Sequence, residues 1–150
     1  YTMKKSMFIT TGLMISLAAC GQKLKESDIP AAVKDAFSKS YKDAKEVKWE
    51  KESANFEAEF EIGETDQSVV YDATGNLVEI EIEIKVDELP SAVKDYVSKN
   101  YRGVKIKEAT KITDAKGTIT YEAEIKDKDL IFDSNGKFIK EEVDTDEDKD

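Results

Sequence analysis

The chain has 150 residues, with 23 lysines and arginines against 33 aspartates and glutamates, a formal charge of −10. It holds no histidine and a single cysteine, so Ser-His-Asp and Cys-His catalysis, metal centres built on histidine and an internal disulfide are excluded. The acidic balance disfavours non-specific nucleic-acid binding, because both partners would be negative.

Residues 1–19 read as a secretory signal. Met3-Lys4-Lys5 is a short basic start, and Tyr1-Thr2 read as extraneous residues ahead of it. The apolar run from Met7 to Ala19 is too short to span a bilayer permanently, and it ends in small residues before Cys20. Leu17-Ala18-Ala19-Cys20 has the form of a bacterial lipobox, so Cys20 is the expected lipidation site and the expected mature N-terminus. One acyl chain anchors weakly, at about 0.8 kcal/mol per buried methylene, and several anchor stably. Gly rather than Asp follows Cys20, which favours the outer over the inner membrane. Removing residues 1–19 takes Lys4 and Lys5 and no acid, leaving 21 basic against 33 acidic residues, a balance of −12. Residues 20–27 then read as the lipidated cysteine and a polar linker.

A repeat follows. Ile29-Pro30-Ala31-Ala32-Val33-Lys34-Asp35 returns 60 positions later as Leu89-Pro90-Ser91-Ala92-Val93-Lys94-Asp95. Ile29, Val33, Phe37 and Tyr41 share one face at helical spacing, as do Leu89, Val93, Val97 and Tyr101. After each helix the period drops to two. Val47 and Trp49 alternate with Lys48 and Glu50; Phe56, Ala58, Phe60 and Ile62 alternate with Glu57, Glu59 and Glu61. A short strand at Val69–Asp72 leads through the turn Asp72-Ala73-Thr74-Gly75 to Ile80, Ile82, Ile84 and Val86, which alternate with Glu79, Glu81, Glu83 and Lys85. The second half offers strands at Val104–Thr113, Thr118–Lys126, Leu130–Asp133 and Lys137–Val143, with the turn repeated at Asp133-Ser134-Asn135-Gly136. The expected fold is α+β. It is a tandem αββββ repeat, 28–86 and 87–143, forming one antiparallel sheet with both helices on its apolar face. Trp49, Tyr41, Phe60 and Phe132 belong to the core side. Residues 144–150 read as a disordered acidic tail.

The two proline-led helices, the Val47-Lys48-Trp49-Glu50-Lys51-Glu52 and Asn55-Phe56-Glu57-Ala58-Glu59-Phe60 strands and the Asp-x-x-Gly hairpins together resemble the PepSY-like family of β-lactamase-inhibitor-like periplasmic proteins. The resemblance covers residues 28–143. It implies the fold of β-lactamase inhibitory protein, in which a concave sheet built from both repeats grips the target enzyme. This chain lacks that inhibitor's paired cysteines, and its open face is acidic where an inhibitor would show aromatic anchors.

Candidate chemistry is sparse. Ser91-Ala92-Val93-Lys94 fits the Ser-x-x-Lys pattern of penicillin-binding enzymes, but Ala31 replaces the serine in the first repeat and the companion motifs are missing. No catalytic residue is assigned. Glu57, Glu59, Glu61, Glu79, Glu81 and Glu83 read as similar, solvated carboxylates on the helix-free face: either a soluble surface or a contact face for a basic protein partner or cations. Asp144, Asp146, Asp148 and Asp150 have the spacing that starts a calcium loop, without its glycine and its closing glutamate. The expectation is a non-catalytic, lipid-anchored envelope module without cofactor that binds a protein partner and meets the membrane only through its anchor. A calcium-binding envelope protein is the alternative.

Overall fold

The computed structural model describes residues 22–143, so Cys20, the signal segment and the tail with Asp144, Asp146, Asp148 and Asp150 lie outside the described residues. The chain runs β1 (Gln22–Leu24), α1 (Ala31–Ser40), β2 (Lys45–Glu52), β3 (Asn55–Ile62), β4 (Thr65–Tyr71), β5 (Leu77–Ile84), α2 (Ser91–Asn100), β6 (Glu108–Asp114), β7 (Ile119–Ile125), β8 (Lys128–Asp133) and β9 (Phe138–Val143). The nine strands form one sheet in sequence order, every neighbouring pair antiparallel. A single 3-10 turn precedes each helix, at Glu26–Asp28 and Val86–Glu88.

The expected αββββ unit is corrected at its start. Residues 22–24, placed in the linker from sequence, form an edge strand on β2, with Leu24 opposite Trp49. The same offset of 60 joins Leu24-Lys25 to Ile84-Lys85, and Ile84 pairs with Ala109 as Leu24 pairs with Trp49. Each helix is thus entered from a strand of the sheet, and β5 closes the first repeat while opening the second. Leu24 and Ile84 each pack against the core of their own helix.

Two cores lie side by side between helices and sheet. Under α1, Ile29, Val33 and Phe37 meet Trp49, Phe56, Phe60, Val69 and Tyr71. Phe37 stands edge-on to both Trp49 and Phe60, with ring centroids 5.3 and 5.2 Å apart, a geometry favoured by the ring quadrupoles. Under α2 the aromatic mass shifts by one position. Val97 replaces Phe37, and Tyr96, where the first helix has Ala36, stacks on Phe138 at 4.7 Å and meets Phe132 edge-on. Trp49, Phe60 and Phe132 are buried as expected, and Tyr41 is half-buried. Val47, expected beside Trp49, is 38 % exposed. A bulge between Lys45 and Lys48, with Glu46 at φ 52°, breaks the alternation there.

The hairpin turns use one device three times. Asp72 Oδ1 accepts the backbone N–H groups of Thr74 and Asn76; Asp114 and Asp133 do the same for Lys116 and Thr118 and for Asn135 and Lys137. The Thr74 hydroxyl and the Asn76 side-chain amide also donate to Asp72, and with the backbone bonds they hold its carboxyl well below the usual carboxylate range; the backbone N–H of Thr118 leads in lowering Asp114. Gly75 and Gly117 close two of the turns at φ 83°. The tip at Gly75 also docks on the start of α1, where an added Cβ would lie 2.6 Å from the Ala32 carbonyl oxygen, whereas Gly117 faces open space. Gly117→Ala should cost only the left-handed backbone, about 1 kcal/mol. Gly75→Ala should cost roughly 2–3 kcal/mol, because the hairpin must also lift off the helix. Urea denaturation of the two variants checks this; equal losses would refute the docking contact.

Candidate functional site

Residues directly opposite one another on paired strands share a face, so the register fixes what the helix-free face carries. One row runs Glu50, Glu57, Val70, Glu79, Asp114 across β2 to β6. The next runs Lys48, Glu59, Ser68, Glu81, Ile112, Thr120 across β2 to β7. A third joins Glu83, Thr110, Glu122, Ile131 and Lys140, and a fourth Glu108, Glu124, Asp129 and Glu142. Glu61 pairs with Asp66 at the near end. The structure therefore brings Glu57, Glu59, Glu61, Glu79, Glu81 and Glu83 onto one face. Lysines occur there only towards the sheet's outer strands, at Lys23, Lys45, Lys48 and Lys140; from β3 to β8 the face carries no lysine or arginine.

The expectation that these carboxylates are alike and solvated is corrected. Glu57 and Glu81 are only 3 % and 4 % exposed and Glu79 is 9 % exposed, while Glu59, Glu61 and Glu83 are half-buried. Neither helix covers them. Their cover comes from the same face of the sheet, where residues directly opposite on neighbouring strands stand only about 4.5–5.5 Å apart. Val70, Ile112 and Ile131, all buried, stand singly among the carboxylates on β4, β6 and β8.

Crowding sets the protonation of the face. Burial, followed by the charges of Glu57, Glu122 and Glu79, pushes the Glu81 carboxyl well above the usual range. Burial, followed by Asp129, Glu142 and Glu124, does the same to Glu122, whose carboxyl is desolvated although the residue as a whole is half-buried. Glu79, Glu59 and Glu83 are raised as well, with burial the leading cause in each. Ser68 Oγ donates to Glu81 Oε2 at 3.3 Å, and the Glu79 and Glu81 carboxyls hydrogen-bond each other, which needs a proton on one of the two. Among the described residues no group of three or more His, Cys, Asp or Glu side chains converges as a metal site. Ser91 is exposed at the first turn of α2, and Lys94 Nζ donates to the Asp87 carbonyl oxygen at 3.3 Å rather than to Ser91. A separate groove of about 480 Å³, lined by Leu24, Lys34, Phe37, Val47 and Trp49, lies at the first edge of the sheet.

The family described as "Putative beta-lactamase-inhibitor-like, PepSY-like" matches residues 16–79 and again 65–140. The chain belongs to the PepSY-like family. The two PepSY-like matches overlap over β4 and the start of β5, in keeping with a strand shared between repeats. Solved structures share the fold. A protein from Bacteroides eggerthii described as "putative periplasmic" is 17% identical with a TM-score of 0.70, covering 77% of this chain and 88% of its own. A DUF2874 family protein from Bacteroides uniformis is 23% identical with a TM-score of 0.68, covering 76% and 88%. A BLIP-like protein from Bacteroides fragilis is 23% identical with a TM-score of 0.59, covering 81% and 91%. No curated protein matches the chain.

The carboxylate rows were legible as a set of glutamates but not as a buried one. Strict alternation identifies a face; it does not say which side chains the neighbouring strands place around each residue. The contribution of the second repeat through Glu122 and Asp129 was missed, although Tyr121-Glu122-Ala123-Glu124 repeats Phe56-Glu57-Ala58-Glu59 and was a usable signal.

Proposed function

We propose that this PepSY-like protein is a non-catalytic binding module of the cell envelope that grips a basic segment of a protein partner with its helix-free sheet face. The observation that carries this is the placement of like charges. Glu50 stands opposite Glu57, Glu79 opposite Asp114, Glu108 opposite Glu124, and Glu124 opposite Asp129. Like charges directly opposite destabilise a sheet, by about 0.2–1 kcal/mol a pair. Such a face is poor for stability and well suited to a cationic surface, which would be drawn in by complementary charge. The family description and the BLIP-like fold support binding rather than catalysis. The envelope location rests on the lipobox-like run ending at Cys20 and on the periplasmic description of the Bacteroides eggerthii protein. A lipid on Cys20, with the domain held at the outer membrane, completes the proposal.

One fractionation experiment tests both parts. Full-length protein is recovered from detergent-extracted envelope with its cross-linked partners, alongside Cys20→Ser and a Glu50→Lys/Glu59→Lys variant. Glu50 and Glu59 are chosen because they are half-buried; reversal at the buried Glu81 would threaten the fold. Cys20→Ser should leave the detergent-extracted fraction. The double reversal should lose a basic partner that wild type captures at low salt. Wild type without lipid, or partners indifferent to the reversal, would remove the corresponding part.

A further inference from the structure

The groove at the first edge of the sheet is built from three elements. Lys34 and Phe37 come from α1, Lys23 and Leu24 from β1, and Val47, Lys48 and Trp49 from β2. Leu24, Phe37, Val47 and Trp49 give it apolar walls, and Val47 is exposed where the bulge breaks the alternation of β2. Three lysines line it against two acids, Glu26 and Glu50. Lys23 and Lys48 are exposed and Lys34 is half-buried. The ion pairs among the described residues are Lys107–Glu124, Lys128–Glu141 and Lys140–Glu142, so none of the three groove lysines is neutralised by one.

The repeat supplies a comparison. Sixty positions on, Lys23 and Lys48 become Glu83 and Glu108, Val47 becomes Lys107, and Phe37 and Trp49 become Val97 and Ala109. Lys34 alone stays a lysine, and its counterpart Lys94 is engaged by the Asp87 carbonyl oxygen. The same helix entry is thus built a second time with the opposite charge and without the aromatic floor, so the fold does not demand this set of residues. What distinguishes the first copy is its place. Cys20 lies four residues before Leu24, at most about 14 Å of extended chain. A lysine-lined, apolar-walled groove therefore stands beside the expected point of lipid attachment, in a chain with 21 basic against 33 acidic residues after Ala19.

Resting on the proposed lipid anchor at Cys20, we infer that this groove seats the headgroup of an anionic phospholipid of the same membrane, with Lys23, Lys34 and Lys48 about its phosphate and its first acyl methylenes against Val47 and Trp49. Ammonium groups bind phosphate as point charges, and lysines beside an anionic bilayer are drawn to its surface. Their stems lie along apolar walls while their heads reach the phosphate. The acidic domain as a whole is repelled by such a surface, so docking depends on the tether, which holds the groove at a high local concentration of lipid. The same repulsion keeps the glutamate rows away. The domain then stands on its first edge, with the helix-free face open to a protein partner. The far edge is a poorer foot, since Lys128 and Lys140 are already paired with Glu141 and Glu142.

Trp49 is the sole tryptophan and lines the groove, so it reports docking directly. Mature protein is purified in detergent, its Cys20 lipid is verified by mass, and it is reconstituted at low salt into phosphatidylcholine vesicles. These contain either brominated phosphatidylglycerol or the same amount of brominated phosphatidylcholine, with the bromines near the glycerol. Brominated phosphatidylglycerol should quench Trp49 and brominated phosphatidylcholine should hardly do so, and the quenching should fade as salt rises. Lys23→Gln/Lys48→Gln should shift docking roughly tenfold towards the free state. Lys105→Gln/Lys116→Gln, the same charge change in the second repeat, should behave as wild type. Equal quenching by the two lipids, no quenching, or wild-type quenching in Lys23→Gln/Lys48→Gln would overturn the inference and leave the anchor standing. Emission that follows protein density on the vesicle instead of lipid charge would assign the groove to a second copy and overturn it as well. Protein without lipid on Cys20 would remove the anchor, and the inference with it.

Discussion

Replacing Trp49 by alanine should cost about 3–5 kcal/mol, the range for truncating a buried large aromatic. The indole is 8 % exposed, lies edge-on to Phe37 and sits opposite Ala58 on β3 and Leu24 on β1. It therefore ties the edge strand, the sheet and α1 together. The second repeat offers no substitute. The position 60 residues on is Ala109, buried to 1 % exposure, and the second core is filled by Tyr96, Phe132 and Phe138 instead. Val93 and Val33 are equally buried in the two helices, so the cores differ in how the aromatic volume is supplied rather than in how tightly the helix packs. Urea denaturation followed by circular dichroism measures the loss, and the sole tryptophan of wild type reports burial directly by its emission. A loss under about 1 kcal/mol, with emission like that of free tryptophan, would place Trp49 outside the core.

The two helices, the shared sheet and the buried aromatics could be read from the sequence because each is set by local periodicity and repeated once. Where reading failed, the cause was tertiary. Three residues, Gln22–Leu24, are too few to show an alternation, and only their offset of 60 from Ile82–Ile84 marks them as a strand. Val47 fails because a bulge is a register event between two strands, invisible in one of them. Thr65–Tyr71 is longer than the apolar stretch Val69–Tyr71 announces, since its first half pairs polar Asp66, Gln67 and Ser68 with β3. Val104–Lys107 is not strand, and β6 begins only at Glu108, where pairing with β7 starts. The acidic face shows the same limit most clearly. Glu57 and Glu59 are two residues apart and identical in local pattern, yet one is buried and the other half-exposed, because burial depends on what the neighbouring strands place around them.

That burial should reverse the usual acid sensitivity of a folded domain. The protein should melt at a higher temperature at pH 5 than at pH 8. Glu81 and Glu122 carry most of the effect, since both carboxyls are desolvated and surrounded by acids that raise them well above the ordinary range. Glu79 is raised in the same direction; Glu59 and Glu83 are more exposed, so solvent screening reduces what they add. For a carboxyl raised on folding, the stabilising contribution is complete below the unfolded value near 4.3 and is lost as pH climbs through the folded value. Each such group costs up to about 1.4 kcal/mol per pH unit across that interval. For a domain of this size 1 kcal/mol corresponds to roughly 2–8 °C, so a drop of several degrees towards pH 8 is expected. Asp72, Asp114 and Glu141 work the other way. Their hydrogen bonds hold them below the ordinary range, so their contribution is present at neutral pH and disappears only as pH falls through their low folded values. The melting temperature should therefore pass through a maximum between these two regimes. Glu81→Gln keeps the shape and removes the titration, so it should raise the melting temperature at pH 8, leave it nearly unchanged at pH 5, and flatten the slope between them. A wild-type melt that is highest at pH 8, or a Glu81→Gln slope equal to that of wild type, would mean that the carboxyls on this face are ionised and solvated after all, and that the cost of their crowding lies elsewhere in the fold.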